Sequence, residues 1–188
     1  MGCPWNGLSD VCTPNSRPAG RPAIWAKTLP LNVDGWWNII ALFREGAFPK
    51  GDRVIYFDLD TVIVGSLGDL CAYNGRFAAM SNIYGPGLAS GVMAWEAGKV
   101  DHIWSLWEKN GRPILPQGDQ QWITFTERMA DRLQVKLPGQ LVSFKADCFP
   151  IGGIPNNARV VYFHGQPRPH NIDSPWITWD LGADNAQT

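Results

Sequence analysis

The chain has 188 residues, 45% apolar and 18% charged, which excludes intrinsic disorder and suits one domain able to bury roughly two thirds of its unfolded surface. Sixteen Lys and Arg against 17 Asp and Glu leave a net charge of -1, so the footprint of a general nucleic-acid binder is missing. No apolar run approaches the ~18 residues of a transmembrane segment, and MGCPWNGLSD has no basic-then-apolar leader, so the cytoplasm is the expected compartment.

Residues 1–33 read as an irregular segment, because CPWNG, TPNSRPAGRP and Pro30 all interrupt regular structure. Asp34 is expected to cap a helix over 35–45, GWWNIIALFRE, closed by Gly46. Trp36, Ile40 and Phe43 fall at i, i+4 and i+7 and define its apolar face, with Ile39 widening it. After the turn PKGD (49–52), RVIYF (53–57) is a strand whose composition suits burial on both faces, followed by DLD and a second apolar run, TVIV (61–64). Asp69 is expected to cap a short helix. RFAAM (76–80) and SGVMAWEAG (90–98) are strands. Asp101 is expected to cap a helix holding Ile103, Trp104 and Trp107 against a sheet, stopped by Gly111 and Pro113. A further helix starts near Asp119 with Trp122, Ile123 and Met129 on its buried side. LVSFK (141–145) and RVVYF (159–163) complete the strands. Strands mixed with helices of about ten residues argue for an α/β domain spanning residues 1–188.

Four cysteines, Cys3, Cys12, Cys71 and Cys148, fit no zinc spacing; Cys71 and Cys148 are expected to be buried thiols, and a Cys3–Cys12 bridge stays open. Ten tryptophans exceed what packing needs and suit a core, an interface or a sugar-stacking surface; Trp176 and Trp179 either close over a site or tie down the tail. His102 and His170 read as surface or cap histidines, and Arg17, Arg21 and Lys27 as a loose basic scatter. There is no GxxxxGK, no GxGxxG and no Ser–His–Asp frame, so ATP, NAD and serine-hydrolase chemistry find no support.

The sharpest signal is RVIYFDLDTVIV. Asp58 and Asp60 follow an apolar strand, and positions i and i+2 project to one side of an extended chain. Two close carboxylates repel unless a cation sits between them or one takes up a proton. Mn²⁺ or Mg²⁺ is the economical answer, since each prefers oxygen ligands and leaves positions for phosphate oxygens. Such a pair serves a sugar-nucleotide glycosyltransferase or a phosphohydrolase. FDLDTV is superficially similar to the start of haloacid dehalogenase-type phosphatases, with Thr61 and Val62 replacing the usual glycine and hydroxyl residue; there Asp58 would be the nucleophile.

Later stretches weigh on the choice. VGSLGDL (64–70), SGVMAWEAG, GDQQWI (118–123) and VVYFHGQPRPH (160–170), in that order after the DLD, resemble glycosyltransferases of the glycogenin-like and lipopolysaccharide-type family, notably small bacterial and phage-associated relatives. The resemblance covers residues 34–170. It implies a GT-A-like nucleotide-diphospho-sugar transferase fold, a mixed central sheet with flanking helices, and transfer of a hexose from a nucleotide-sugar donor, UDP-sugars favoured, to the hydroxyl of a glycan, lipid or protein acceptor. It implies that Asp58 and Asp60 hold Mn²⁺ or Mg²⁺, with Asp58 shared with the donor ribose. Ser90 and Gly91 would meet the donor sugar, and Asp119 and Gln120 would hydrogen-bond its hydroxyls beside the reacting carbon. Gly165 and Arg168 fall in the strand that holds the departing diphosphate. Aligned on Gly165 and Pro169, the family's third metal ligand falls on Tyr162, so His164 takes that part or the ligand is missing; Ala89 replaces a usual asparagine. GLSDVCTP (7–14) resembles the stretch that follows the family's opening strand and helix. An N-terminally truncated, and then catalytically inactive, domain is therefore the third expectation.

Overall fold

The computed structural model of the chain describes residues 35–177. A 3-10 helix, Gly35–Phe43, opens it. Then come β1 (Arg53–Phe57), β2 (Thr61–Ile63), α1 (Gly68–Cys71), β3 (Phe77–Ser81), β4 (Leu88–Glu96), α2 (His102–Lys109) and α3 (Gly118–Thr126). After them come β5 (Asp131–Arg132), α4 (Leu133–Lys136), β6 (Leu141–Ser143), a π-helical turn over Phe144–Cys148, and β7 (Val160–Tyr162). The strands form two sheets, ordered β1-β4-β3-β5 and β2-β7-β6. In the first, β1 and β3 run antiparallel to β4 while β5 is parallel to β3. In the second, β7 is antiparallel to β2 and parallel to β6.

Period-two alternation builds the layers. Along β3 and β4, Phe77, Ala79, Met93 and Trp95 join a core with Ile103, Trp107, Trp122 and Ile123 from α2 and α3. Their alternates, Ala78, Met80, Val92 and Ala94, pack instead with Leu141, Val160 and Tyr162 of the second sheet. Along β7, Val161 turns to a third cluster with Phe144, Cys148 and Phe163. A fully buried side chain of this size contributes roughly 1.5–3 kcal/mol. Trp37 and Trp107 stack at 5.6 Å, so four of the tryptophans, 37, 95, 107 and 122, serve this helix–sheet core.

Several expectations need correction. The first helix is 3-10 rather than α, and its three-residue period buries Trp37, Ile40 and Phe43 while Trp36 stays 67% exposed. The strand RVIYF is an edge strand among the described residues and is half-buried along its whole length. Met129 is exposed because α3 ends at Thr126, whose hydroxyl donates back to the Trp122 carbonyl at 3.0 Å. Neither Asp101 nor Asp69 makes a capping bond; α1 starts at Gly68, and the Asp69 carboxylate accepts from Gln140 Nε2 at 2.7 Å. LVSFK leaves the strand after Ser143, whose side chain caps the π-helical turn by accepting from the Ala146 amide. Cys71 is exposed, while Cys148 is buried and its thiol is pushed up to about 11 by burial and then by Asp147. His102 is no bare surface histidine, since it pairs with buried Glu127 at 2.8 Å. Trp176 packs on Phe144. Residues 1–33, the Asp34 cap, Cys3, Cys12, the basic scatter and Trp179 lie outside the described residues. No described helix is long and apolar enough to cross a membrane.

Candidate active site

The two sheets meet at the Asp58–Asp60 turn. β1 carries the chain along β4 to the pairing of Phe57 with Val92, and the Asp58 amide then donates to the Gly91 carbonyl at 2.8 Å. Two residues on, the Asp60 carbonyl accepts from the Phe163 amide at 2.9 Å, and β2 begins its pairing with β7 at Thr61 and Tyr162. One backbone bond thus fixes Asp58 beside Ser90 and Gly91, and the other fixes Asp60 beside Phe163 and His164. The pair converges through a turn, with Leu59 fully exposed at its tip, rather than through the extended spacing expected from the sequence.

A cleft of about 240 Å³ opens at this junction. Six predicted site residues line it together: Asp58, Asp60, Ser90, Gly91, Gln120 and His164. A Cβ added to Gly91 would sit 3.9 Å from Asp58 Oδ2 and 3.1 Å from Met80 Cε, so a side chain there would press on the Met80 methyl and meet the carboxylate only at ordinary contact distance. Asp119 is absent from the lining. It lies behind, 6% exposed, held by a hydrogen bond from Ser90, with Oδ2 unpartnered. Gly165 follows His164 with φ at 68°, a left-handed conformation that favours glycine, and is outside the cleft. Arg168 lines a neighbouring cleft of about 340 Å³ that shares Asp58 and Asp60, and its guanidinium pairs with the Asp60 carboxylate.

The electrostatics are those of a site short of positive charge. Asp60 is held above the ordinary carboxylate range by burial and then by the Asp58 charge, even though Arg168 pulls the other way. Asp119 is likewise raised, mainly by burial, with Asp58 adding to it against the Ser90 and backbone bonds. Tyr56 donates to Asp58 Oδ1 at 2.6 Å; burial, that bond and the nearby carboxylates drive its phenol far upward. The His164 pKa is lowered, by burial and then by Lys145.

Two neighbouring carboxylates, of which only Asp60 is paired with a guanidinium, are a donor set that fits a divalent cation, and they face space for further oxygen ligands. His164 is differently placed. Its Nδ1 meets the Tyr84 hydroxyl and its Nε2 lies 2.8 Å from Ser143 Oγ. Among the described residues, no group of three His, Cys, Asp or Glu stands close enough to hold a metal.

Sequence reasoning missed Tyr56, Tyr84 and Ser143. Tyr56 was within reach, two positions before Asp58 where β1 runs into the turn, a spacing that puts both side chains on one side of an extended chain. Tyr84 and Ser143 lie 80 and 21 residues from their partner, and no local pattern joins them to it.

No protein-family model matches the chain, and no curated protein does. Solved structures do match. The glycosyltransferase GlyE of Streptococcus pneumoniae TIGR4 is 20% identical over 75% of this chain and 40% of that one, with a TM-score of 0.49. Its apo form is 19% identical over 74% and 40%, with a TM-score of 0.51. The chain spans about 40% of the length of these structures, and the likeness to the apo form shows a shared glycosyltransferase fold.

Proposed function

We propose that this chain is a metal-dependent glycosyltransferase of the glycogenin-like and lipopolysaccharide-type family, moving a hexose from a nucleotide diphosphate donor to an acceptor hydroxyl. The observation that carries the reading is the carboxylate pair at the sheet junction, short of positive charge and facing a cleft lined by Ser90, Gly91 and Gln120, within a glycosyltransferase fold. A UDP-sugar is the favoured donor. Asp58 and Asp60 would hold Mn²⁺ or Mg²⁺, which when bound supplies charge against the departing diphosphate. Arg168, now on Asp60, would take up phosphate oxygens as donor arrives, with the bidentate geometry that guanidinium favours. Gln120 would orient sugar hydroxyls with its amide. Asp119 would act as a positioning residue, fixing the Ser90 hydroxyl from behind. Retention at the anomeric carbon is part of the proposal through the family resemblance.

The aspartate-nucleophile alternative asks for a lysine beside the attacked phosphate. No lysine is among the residues that line the cleft, and Lys99 sits 3.9 Å from Glu96. Calorimetric titration with UDP, several UDP-sugars and GDP-mannose, with and without Mn²⁺, tests the proposal. Binding that requires Mn²⁺ and disappears in Asp60→Ala is the expected result. A folded chain that binds none of them would replace it with the non-catalytic reading.

A further inference from the structure

We propose that His164 is a positioning residue rather than a metal ligand. It pins Tyr84 at the cleft, and the Tyr84 ring is the wall against which a ring of the nucleotide-sugar packs. The ligand in this inference rests on the function proposed above; the pin does not.

A neutral imidazole has one ring lone pair and one N–H. Here the hydroxyls of Tyr84 and Ser143 occupy both ring nitrogens, so in either tautomer the lone pair already accepts a hydrogen bond. Ser143 is held firmly. It is fully buried, its amide donates to Asp147 Oδ2 at 2.7 Å, and its hydroxyl oxygen accepts from the Ala146 amide at 3.2 Å. Freeing Nε2 for a metal would leave a buried hydroxyl short of a partner.

Tyr84 stands on the turn between β3 and β4. The Asn82 amide donates to the Gly87 carbonyl at 3.1 Å, and the Tyr84 amide donates to Asn82 Oδ1 at 2.9 Å, which closes the turn on itself. The phenol–imidazole bond ties this turn to the far end of β7 in the other sheet. Although bonded through its hydroxyl, Tyr84 remains 72% exposed, and its ring stands at 87° to that of His164. With exposed Ile83 it lends an apolar face to a cleft that Asp58, Asp60 and Gln120 also line. With a divalent cation held on those carboxylates, a ligand with an anionic end and a ring would match both the polar and the apolar lining.

The test uses the full chain and three readouts. Mn²⁺ affinity, followed by electron paramagnetic resonance, should be lost in Asp60→Asn yet stay within about twofold of the parent in His164→Ala. Affinity for UDP-glucose should fall about tenfold in Tyr84→Ala, the scale of one aromatic contact. It should fall about threefold in both His164→Ala and Tyr84→Phe, and no further when these two are combined, because they break one bond. A parallel series with UDP alone tells which ring packs: an equal loss points to the base, a loss confined to UDP-glucose points to the sugar, and either supports the wall.

A tenfold loss of Mn²⁺ affinity in His164→Ala would overturn the inference, as would parent-level UDP-glucose binding in Tyr84→Ala. With three histidines in the chain, the imidazole ¹⁵N spectrum reads the pin separately. Tyr84→Phe, a change at an exposed position, should shift the His164 resonances; no shift would remove the pin. Should the parent bind no nucleotide, the proposed function and the wall fall together, and the ¹⁵N spectrum still decides the pin.

Discussion

Two buried carboxylates, one at the end of α3 and one at its start, are treated in opposite ways. Glu127, with its side chain fully buried, pairs with Arg76 and His102. Asp119 has a bond from Ser90 and backbone amides but no cation, keeps one oxygen unpartnered, and faces the field of Asp58. Burial normally requires a partner for a charge, because desolvation of an unpaired one is costly. Glu127 obeys that rule. Asp119 breaks it, and it does so beside the cleft, where Asp60 is also raised by burial and by a neighbouring carboxylate. The contrast separates an acid kept for the fold from acids kept at a cost to the fold, which is the pattern the proposed function expects of the second group.

Asp60→Asn gives the sharpest form of this contrast. Nucleotide-sugar turnover should fall about 100-fold or more, the scale of removing a preorganised charge contact in an active site. Thermal stability should hold or rise, since one of two mutually repelling carboxylates is gone and Arg168, 41% exposed at its side chain, can be hydrated instead. A loss of turnover accompanied by an equally large loss of stability would place Asp60 with the structural acids. Glu127→Gln is the converse and comes next in size. Urea unfolding should show a loss of about 2 kcal/mol, below the 3–5 of a fully enclosed pair because Arg76 and His102 are both partly exposed. Donor affinity of the folded variant should match the parent. A change in affinity without one in stability would erase the distinction.

How much of this was legible in the sequence follows from the range of the interactions. RVIYF and RVVYF announced their strands by composition, and the DLD motif announced two neighbouring carboxylates that come to line one cleft, because each is a local pattern. Trp36 was assigned to the wrong face since the i, i+4, i+7 rule assumes 3.6 residues per turn, whereas the 3-10 period of three selects Trp37, Ile40 and Phe43. The buried residue at the end of α3 turned out to be charged Glu127, not apolar Met129. Its tolerance depends on Arg76 and His102, 51 and 25 positions away, which no local periodicity encodes. His164 was read as the candidate third metal ligand; it lines the cleft beside Asp58 and Asp60, and its two hydroxyl partners stayed invisible for the same reason.

Asp119→Asn has a smaller predicted effect on stability than Glu127→Gln and the most telling sign. Burial raises the Asp119 pKa above its ordinary 3.8, so the unfolded chain gives up this proton at lower pH than the folded one. Below the ordinary value both states are protonated and the carboxyl costs nothing. As pH rises from there through the raised folded value, the unfolded state is favoured increasingly, and the full cost is present above it. The asparagine variant escapes that cost while keeping an acceptor for Ser90. It should therefore be more stable than the parent at neutral pH, because the buried charge is gone. The advantage should shrink as pH falls through the raised value and vanish below the ordinary one. Turnover should drop nonetheless, because an amide holds the Ser90 hydroxyl more weakly than a carboxylate does. A variant less stable than the parent at neutral pH would show that Asp119 belongs with Glu127 after all, as a charge the fold uses rather than one it tolerates.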